Sequence, residues 1–318
     1  MKKILIVGAG GQIGSELVTY LRGIYGGSNV IAADLRENEI LGADGPFAQL
    51  DVLNKDKFAY LVHKNGVDTI FNLVALLSAT GEKNPQLAWN INMGALNNSL
   101  EIAREYNCAV FTPSSIGAFG GDFPRDNTPQ DVVMQPDTIY GVCKVTGELL
   151  SNYYYTRYGV DTRSVRFPGI ISNVTLPGGG TTDYAVEIYY EAIKAGKFTC
   201  PIPEGCKMDM MYMPDALRAC VQLMEADPAK LVHRNSFNIA AMSFAPEEIY
   251  AAVKKRLPDF SMTYDVDPVK EAIANSWPNK LDDSCARNEW GWKPEWDLET
   301  LTDDMLKIIA EKHAKGLI

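Results

Sequence analysis

Apolar residues follow two alternating rhythms along this chain. Runs of four to six, rich in Ile, Leu, Val and Ala, recur at 4–7, 29–33, 47–50, 69–73, 108–112 and 162–167. Between them, over 13–21, 55–64, 86–106 and 138–158, apolar positions return every three or four residues. The first rhythm predicts strands and the second predicts amphipathic helices. Strands apolar on both faces, alternating with helices, predict a doubly wound α/β fold. Its parallel sheet is covered on both sides and its crossovers are right-handed.

Beyond Pro168 the texture changes. Pro177-Gly178-Gly179-Gly180-Thr181-Thr182 signals a loop. Helices are then predicted over 183–195, 214–226, 246–257 and 298–312, and strands over 199–203, 208–213 and 236–239. The expected division is a larger part over 1–168, to which the chain returns at about 212–241, and a smaller α/β part over 169–211 and 242–318.

Composition narrows the partners. The length of 318 residues suffices for two such cores. A net charge of −10 repels phosphate backbones and anionic lipid, which sets nucleic acid and membranes aside. No stretch approaches the ~20 apolar residues of a membrane span, and the first apolar run is too short for a secretion signal. Six scattered cysteines without a C-x-x-C pair suit free thiols in a reducing compartment, so a cytoplasmic location is expected. His63, His233 and His313 stand near no cysteine in a metal-binding spacing. Cys200 and Cys206, the closest cysteine pair, read as two small semi-buried residues, and no metal is expected.

Candidate chemistry begins at Gly8-Ala9-Gly10-Gly11-Gln12-Ile13-Gly14, between the first strand and the first helix. Gly8, Gly11 and Gly14 give a GxxGxxG spacing, which lets backbone amides and a helix N-terminus approach a pyrophosphate. Asp34 ends the second strand, twenty residues past Gly14. A carboxylate there accepts from both ribose hydroxyls and repels a 2′-phosphate, which favours NAD over NADP; Arg36 nearby pulls the other way. Together these features predict a Rossmann-type sheet. Asp51 and Val52 follow the third strand, where they suit the adenine or, equally, a helix N-cap region. Leu73 and Ala75, at the end of the fourth strand, are placed to line the cofactor. Gln12, Ile13 and Pro168, together with Tyr140 and Lys144, complete the expected cofactor set.

A second constellation lies further on. Tyr140-Gly141-Val142-Cys143-Lys144 opens a long helix, and the i,i+4 spacing puts Tyr140 and Lys144 on one face. A tyrosine hydroxyl titrates near pH 10, too high for a base at neutral pH, but a neighbouring ammonium favours the phenolate. Ser114-Ser115 follows the fifth strand, where a hydroxyl points into the ligand crevice and can hold a reacting oxygen. Asn92, in the preceding long helix, either braces a water near the lysine or is an ordinary helix polar group.

As a set, the glycine turn, Asp34, Ser115 and the Tyr140/Lys144 pair resemble the short-chain dehydrogenase/reductase superfamily. The glycine spacing and long C-terminal part resemble its extended branch, home of the NAD-dependent epimerases and dehydratases. Arg166-Phe167-Pro168-Gly169, Pro177 to Ala185, Met210-Met211-Tyr212-Met213, Asn238 to Phe244, Ser276-Trp277-Pro278 and Asp282-Asp283-Ser284 resemble the L-threonine 3-dehydrogenases of that branch.

That resemblance implies NAD-dependent oxidation of L-threonine, in amino-acid catabolism. Ser115, Tyr140, Lys144 and Asn92 would be the catalytic set, the second part of the chain would bind substrate, and helices 86–106 and 138–158 would form a homodimer face. No metal Lewis acid is expected, because the tyrosine–lysine pair takes its place. The substrate carboxylate would meet the amides of the Gly178–Gly180 turn and the hydroxyls of Thr181 and Thr182, with Ser78 and Thr80 nearby. Asp183 would face the ammonium, or serve only its helix N-terminus. Arg166 is either a substrate contact or half of an ion pair.

Two rivals remain: a nucleotide-sugar epimerase or dehydratase of the same branch, and a non-catalytic NAD sensor. Against the first, residues 169–211 hold no basic side chain besides Lys194, Lys197 and Lys207. Against the second, both Tyr140 and Lys144 are present.

Overall fold

The computed structural model describes residues 1–37, 39–175 and 178–318, with Glu39, Ile40 and Ala79 described by their backbone alone. Pro177 of the predicted loop lies outside the described residues.

Six strands form the main sheet: β1 (Ile4–Val7), β2 (Val30–Asp34), β3 (Phe47–Gln49), β4 (Thr69–Asn72), β5 (Ala109–Phe111) and, two strands later in the chain, β7 (Thr162–Arg163). All pairings are parallel and the spatial order is β3-β2-β1-β4-β5-β7. The order reverses between β1 and β4, so a crevice opens beyond their carboxyl ends. Every residue of β1 and β4 is buried, as the continuous apolar runs require of strands covered on both faces.

The covering helices are α1 (Gln12–Tyr25), α2 (Glu39–Gly42), α3 (Lys55–Asn65), α4 (Ser78–Lys83), α5 (Pro85–Tyr106) and α6 (Ile139–Tyr158). Their ends follow local chemistry. Asn84 caps α5 at the Leu87 amide, and Thr138 caps α6 at the Gly141 amide, each worth about 1 kcal/mol. Gly159 ends α6 in the left-handed region.

The remainder builds three small sheets. β6 (Ser114–Ser115) pairs with β8 (Val165–Phe167), which pairs with β12 (Phe237–Asn238). β9 (Gly169–Ile171) pairs with β11 (Met208–Tyr212), which pairs with β13 (Met242–Phe244). β10 (Lys197–Cys200) pairs with β14 (Ser261–Tyr264). The later helices are α7 (Tyr184–Lys194), α8 (Met213–Glu225), α9 (Pro246–Arg256), α10 (Pro268–Asn275), α11 (Ser284–Trp290) and α12 (Leu298–Ala314).

The single strand predicted over 162–167 is two strands in different sheets. At Ser164 the chain leaves β5: the Ser164 N–H donates to Arg234 O at 3.1 Å and its carbonyl accepts from Phe237 N–H at 3.0 Å. That exchange turns β8 towards β6 and the crevice.

Residues 211–239 of β11, α8 and β12, and then Ala286 and Trp292, pack into one core with Ile4, Ile6 and Leu17. α7, α9 and α12 build another core around Tyr184, Tyr189 and Met305. Among the described residues no helix is long and apolar enough to cross a membrane.

Candidate active site

The turn after β1 approaches its own helix closely. A Cβ on Gly14 would lie 2.3 Å from the Gly8 carbonyl oxygen and 2.9 Å from Ala9 Cα, so the first turn of α1 packs on the loop only with hydrogen there. α1 carries no acid in its first turn, which leaves its N-terminal amides and dipole to an anion. Asp34 reaches the turn from β2: its Oδ2 accepts from Gly10 N–H at 2.8 Å and its Oδ1 from Leu35 N–H at 2.7 Å.

Two hollows continue from this turn. One, of about 900 Å³, is lined by Gly8, Gly11, Asp34, Asp51, Val52, Leu73 and Ala75 among others. The other, of about 860 Å³, is lined by Gln12, Ile13, Leu73, Ala75 and Ser78 on one side. Its other walls include Ser115, Tyr140, Lys144, Pro168, Gly180, Thr181 and Thr182. Leu73 and Ala75 border both, so the trough runs from the second strand to the 180 loop. Its lining, with the acid Asp34 at one end and a helix terminus free of acids beside it, fits a dinucleotide.

Arg36 and Thr80 stand outside it. Both are exposed and border neither hollow. Arg36 lies beyond the end of β2, and Thr80 sits on α4 two residues past Ser78, about 200° round the helix from that buried residue, which borders the cleft.

The candidate catalytic residues meet at the amino end of α6. Lys144 Nζ donates to Pro113 O at 2.5 Å and lies 5.2 Å from the Tyr140 ring centroid. Ser115 Oγ accepts from Gly117 N–H at 3.1 Å, which leaves its own O–H to donate to a ligand. Two glycines make this meeting possible. A Cβ on Gly117 would lie 3.1 Å from Cδ1 and Cε1 of Tyr140, and one on Gly141 would lie 2.3 Å from Gly117 O. Neither was singled out from the sequence, although Gly141 stands inside the Tyr–Lys spacing itself.

Behind Lys144 a smaller cavity of about 440 Å³ separates α5 from α6 and touches Asn92, Ser114, Cys143 and Glu148. Asn92 spends its amide on the loop after β4. Its Oδ1 accepts from Leu76 N–H at 2.7 Å and its Nδ2 donates to Leu76 O at 3.2 Å. It therefore fixes the loop that carries Ala75. Burial pushes the Cys143 thiol up, against a hydrogen bond from Asn92 and the charge of Lys144.

Arg166 resolves to an ion pair. Its guanidinium grips Glu148 at 2.8 and 3.0 Å and also binds Gln130 O and Asn238 Oδ1, all of it buried. Glu148 in turn accepts from the Ser114 hydroxyl. The pair thus locks β6, β8 and α6 together directly behind Ser115. Removing one partner of such a pair costs about 3–5 kcal/mol.

The loop before α7 also differs from expectation. Asp183 Oδ2 accepts from Gly179 N–H at 2.8 Å and Gly180 N–H at 2.6 Å. These amides are already satisfied within the chain, so they do not await a substrate carboxylate. Burial, its largest influence, raises the Asp183 carboxyl above the ordinary range despite these two bonds. Thr181 Oγ1, by contrast, is buried with no hydrogen-bond partner and borders the cleft. Trp277, from the loop after α10, closes the same wall; as a lone aromatic in a polar stretch it gave no site signal. Tyr184, Met211 and Tyr212 are core residues.

The model of the NAD dependent epimerase/dehydratase family matches residues 4–240. This chain belongs to that family. Its cofactor is NAD, and the trough described above is where this chain's residues fit it. An uncharacterized epimerase/dehydratase from Staphylococcus aureus (strain MRSA252) is 57% identical over 314 residues, covering 98% of each chain. The solved L-threonine dehydrogenase from Clostridium difficile is 57% identical, with a TM-score of 0.96 over 98% of each chain. The holo form of an L-threonine dehydrogenase from Cupriavidus necator is 48% identical, with a TM-score of 0.93 over 96% of this chain and 99% of that one.

Proposed function

We propose that this enzyme oxidises the β-hydroxyl of L-threonine to 2-amino-3-oxobutanoate. The observation that carries the reading is the charge of the cleft. Among its described lining residues stand one cation, Lys144, one carboxylate, Asp183, and the hydroxyls of Ser78, Ser115, Thr181 and Thr182. That set suits a small zwitterionic alcohol and is poor in the basic groups a nucleoside diphosphate needs. Likeness to the solved L-threonine dehydrogenases supports the same substrate.

In this scheme Gly8, Gly11, Gln12, Ile13, Asp34, Asp51, Val52, Leu73, Ala75 and Pro168 hold NAD, which when bound supplies the acceptor for the hydride leaving threonine Cβ. Tyr140 takes the hydroxyl proton as general base. Lys144, held at Pro113 O, stabilises the negative charge on the tyrosine oxygen. Ser115 donates to the reacting oxygen and keeps it beside Tyr140. Thr181 and Ser78 donate to the substrate carboxylate, and Asp183 attracts the ammonium. Arg36, Thr80 and Asn92 act at most indirectly.

The homodimer implied by the resemblance is part of the proposal. α5 and α6 expose Trp89, Leu149 and Tyr153, an apolar face suited to a second copy; a monomeric mass in solution would remove this part. The division at Pro168, with returns at 211–239 and again at 286–292, is supported by the cores those residues join.

The test is absorbance of NADH on mixing the protein with NAD and L-threonine, beside L-allo-threonine, L-serine, nucleotide sugars and NADP. Turnover with L-threonine and NAD is expected, and Tyr140→Phe should lower kcat by about 10²–10⁴-fold. Full activity in Tyr140→Phe would discard the base, and turnover of nucleotide sugars alone would discard the substrate.

A further inference from the structure

Away from the cleft, three segments distant in sequence meet around one imidazole. His233 lies in the loop before β12, Cys285 opens α11, and Asp131 belongs to the segment leading into α6. Glu289 holds the ring from behind: one carboxylate oxygen binds His233 Nδ1, and the other accepts from the Val232 and His233 amides at 2.6 and 3.0 Å. The imidazole is therefore fixed with Nε2 facing forward. There Asp131 Oδ2 stands at 3.4 Å and Cys285 Sγ at 4.0 Å.

We propose that His233 Nε2, Cys285 Sγ and the Asp131 carboxylate bind a thiophilic divalent cation of the zinc class, with water as a fourth ligand. Three features support it. Metal–ligand lengths of about 2.0–2.3 Å place neighbouring tetrahedral ligands roughly 3.3–3.6 Å apart, so the nitrogen and oxygen are already spaced, the sulfur must close on the nitrogen by about half an ångström, and the exposed Asp131 carboxylate must turn towards the sulfur. A histidine oriented through its other nitrogen by a carboxylate is the usual outer shell of such a site. Ligand atoms of Cys285, His233 and Glu289 all lie within 4.8 Å of one another, so the thiol shares one cluster with the imidazole and its carboxylate.

Access is open, because His233 and Asp131 border a surface hollow of about 1230 Å³. Cys285 is the one cysteine that is not buried. Cys200 and Cys206, the nearest pair in sequence, join no such cluster among the described residues. The site would pin the segment leading to the catalytic helix against α11, next to Gln130, whose amide already binds Ser236 O and Asn238 N–H.

Cobalt(II) added to the NAD-loaded protein tests this. One equivalent should give a thiolate-to-cobalt charge-transfer band with tetrahedral d–d bands, displaced by zinc. Cys285→Ser should abolish the charge-transfer band. Glu289→Gln, a change in a positioning residue, should weaken cobalt binding by about 10–100-fold and keep the band. Asp131→Asn, on an exposed side chain, should weaken binding about tenfold or more and keeps the test usable should a buried change fail to fold. Absence of the band at saturating cobalt would overturn the proposal, and so would an unchanged band in Cys285→Ser or unchanged affinity in Asp131→Asn.

Discussion

After β1 the backbone turns through Gly8–Gly14 into α1. After β9 it reaches Gly178–Gly180, a short 3₁₀ turn over Thr181–Asp183, and then α7. Both are glycine-rich turns leading into helices, and in sequence both read as anion sites. They end with opposite chemistry. The first helix has no acid in its first turn, and the one acid that reaches the loop, Asp34, comes from a neighbouring strand and takes only the Gly10 amide of the turn. In the second, Asp183 stands three residues past Gly180 and takes both glycine amides for itself. A glycine turn offers amides to a ligand only when no side chain of its own satisfies them. What the second turn presents instead is a carboxylate and the free hydroxyl of Thr181.

The glycines differ in the same way. Gly14 is required for space and Gly179 for backbone angle, with φ at +95° and nothing within 4 Å of a Cβ. The largest expected effect is therefore at Gly14. Gly14→Ala forces a methyl against Gly8 O, an overpacking of about 1–3 kcal/mol concentrated in the turn proposed to hold the pyrophosphate. NAD affinity should fall roughly 10–100-fold, read by fluorescence titration. An unchanged Kd for NAD would mean that the first turn is as tolerant as the second, and the contrast would fail.

Next comes Asp183→Asn. The amide oxygen can still accept from Gly179 and Gly180, so the turn survives while the charge goes. The expected result is a KM for L-threonine raised about tenfold, or about 1.4 kcal/mol, with kcat little changed. The pH dependence follows from the raised carboxyl. The folded protein takes up this proton at a higher pH than the unfolded chain does. Burial of the charge therefore costs stability above the ordinary carboxylate range, and the cost disappears as pH falls through the raised value. Thermal melts should show Asp183→Asn at least as stable as wild type near pH 7, with wild type gaining relative to it as pH falls towards 4. Over the same descent the wild-type KM should climb towards that of the variant. A KM indifferent to the substitution would reduce Asp183 to a cap and remove the ammonium contact.

These turns also show what a sequence can carry. The strand–helix alternation, Asp34, Ser115, Tyr140 and Lys144 were legible because each is set by local pattern or by its place at a strand end, and the sheet then assembles them. Ser164, where one predicted strand divides, was not legible, since the division depends on Arg234 and Phe237 some seventy residues away. α4, α10 and α11 are six to eight residues long, too short to show a period. The self-capping of Gly179 and Gly180 was half visible: Asp183 was noted, but whether a carboxylate faces back to its own turn or out to a ligand is a matter of side-chain direction. The hydrogen bonds that Arg166 and Asn92 make were hidden for a related reason, because their partners Glu148 and Leu76 lie on other segments of the chain.

The smallest effect sharpens the contrast most. Gly179→Ala places a methyl in open space, so the only cost is the left-handed backbone angle, about 1–2 kcal/mol for a residue with a Cβ. Because the loop is a surface segment whose amides are tied to Asp183, that cost can be met by local adjustment of the turn. The melting temperature should drop by a few degrees at most. NAD affinity should stay at the wild-type value, and the KM for L-threonine should rise less than in Asp183→Asn. Were Gly179→Ala instead to match Asp183→Asn in KM, the turn's backbone would be shaping the substrate site as much as its carboxylate does. The two glycine turns would then differ in which ligand end they meet, and no longer in whether they meet one.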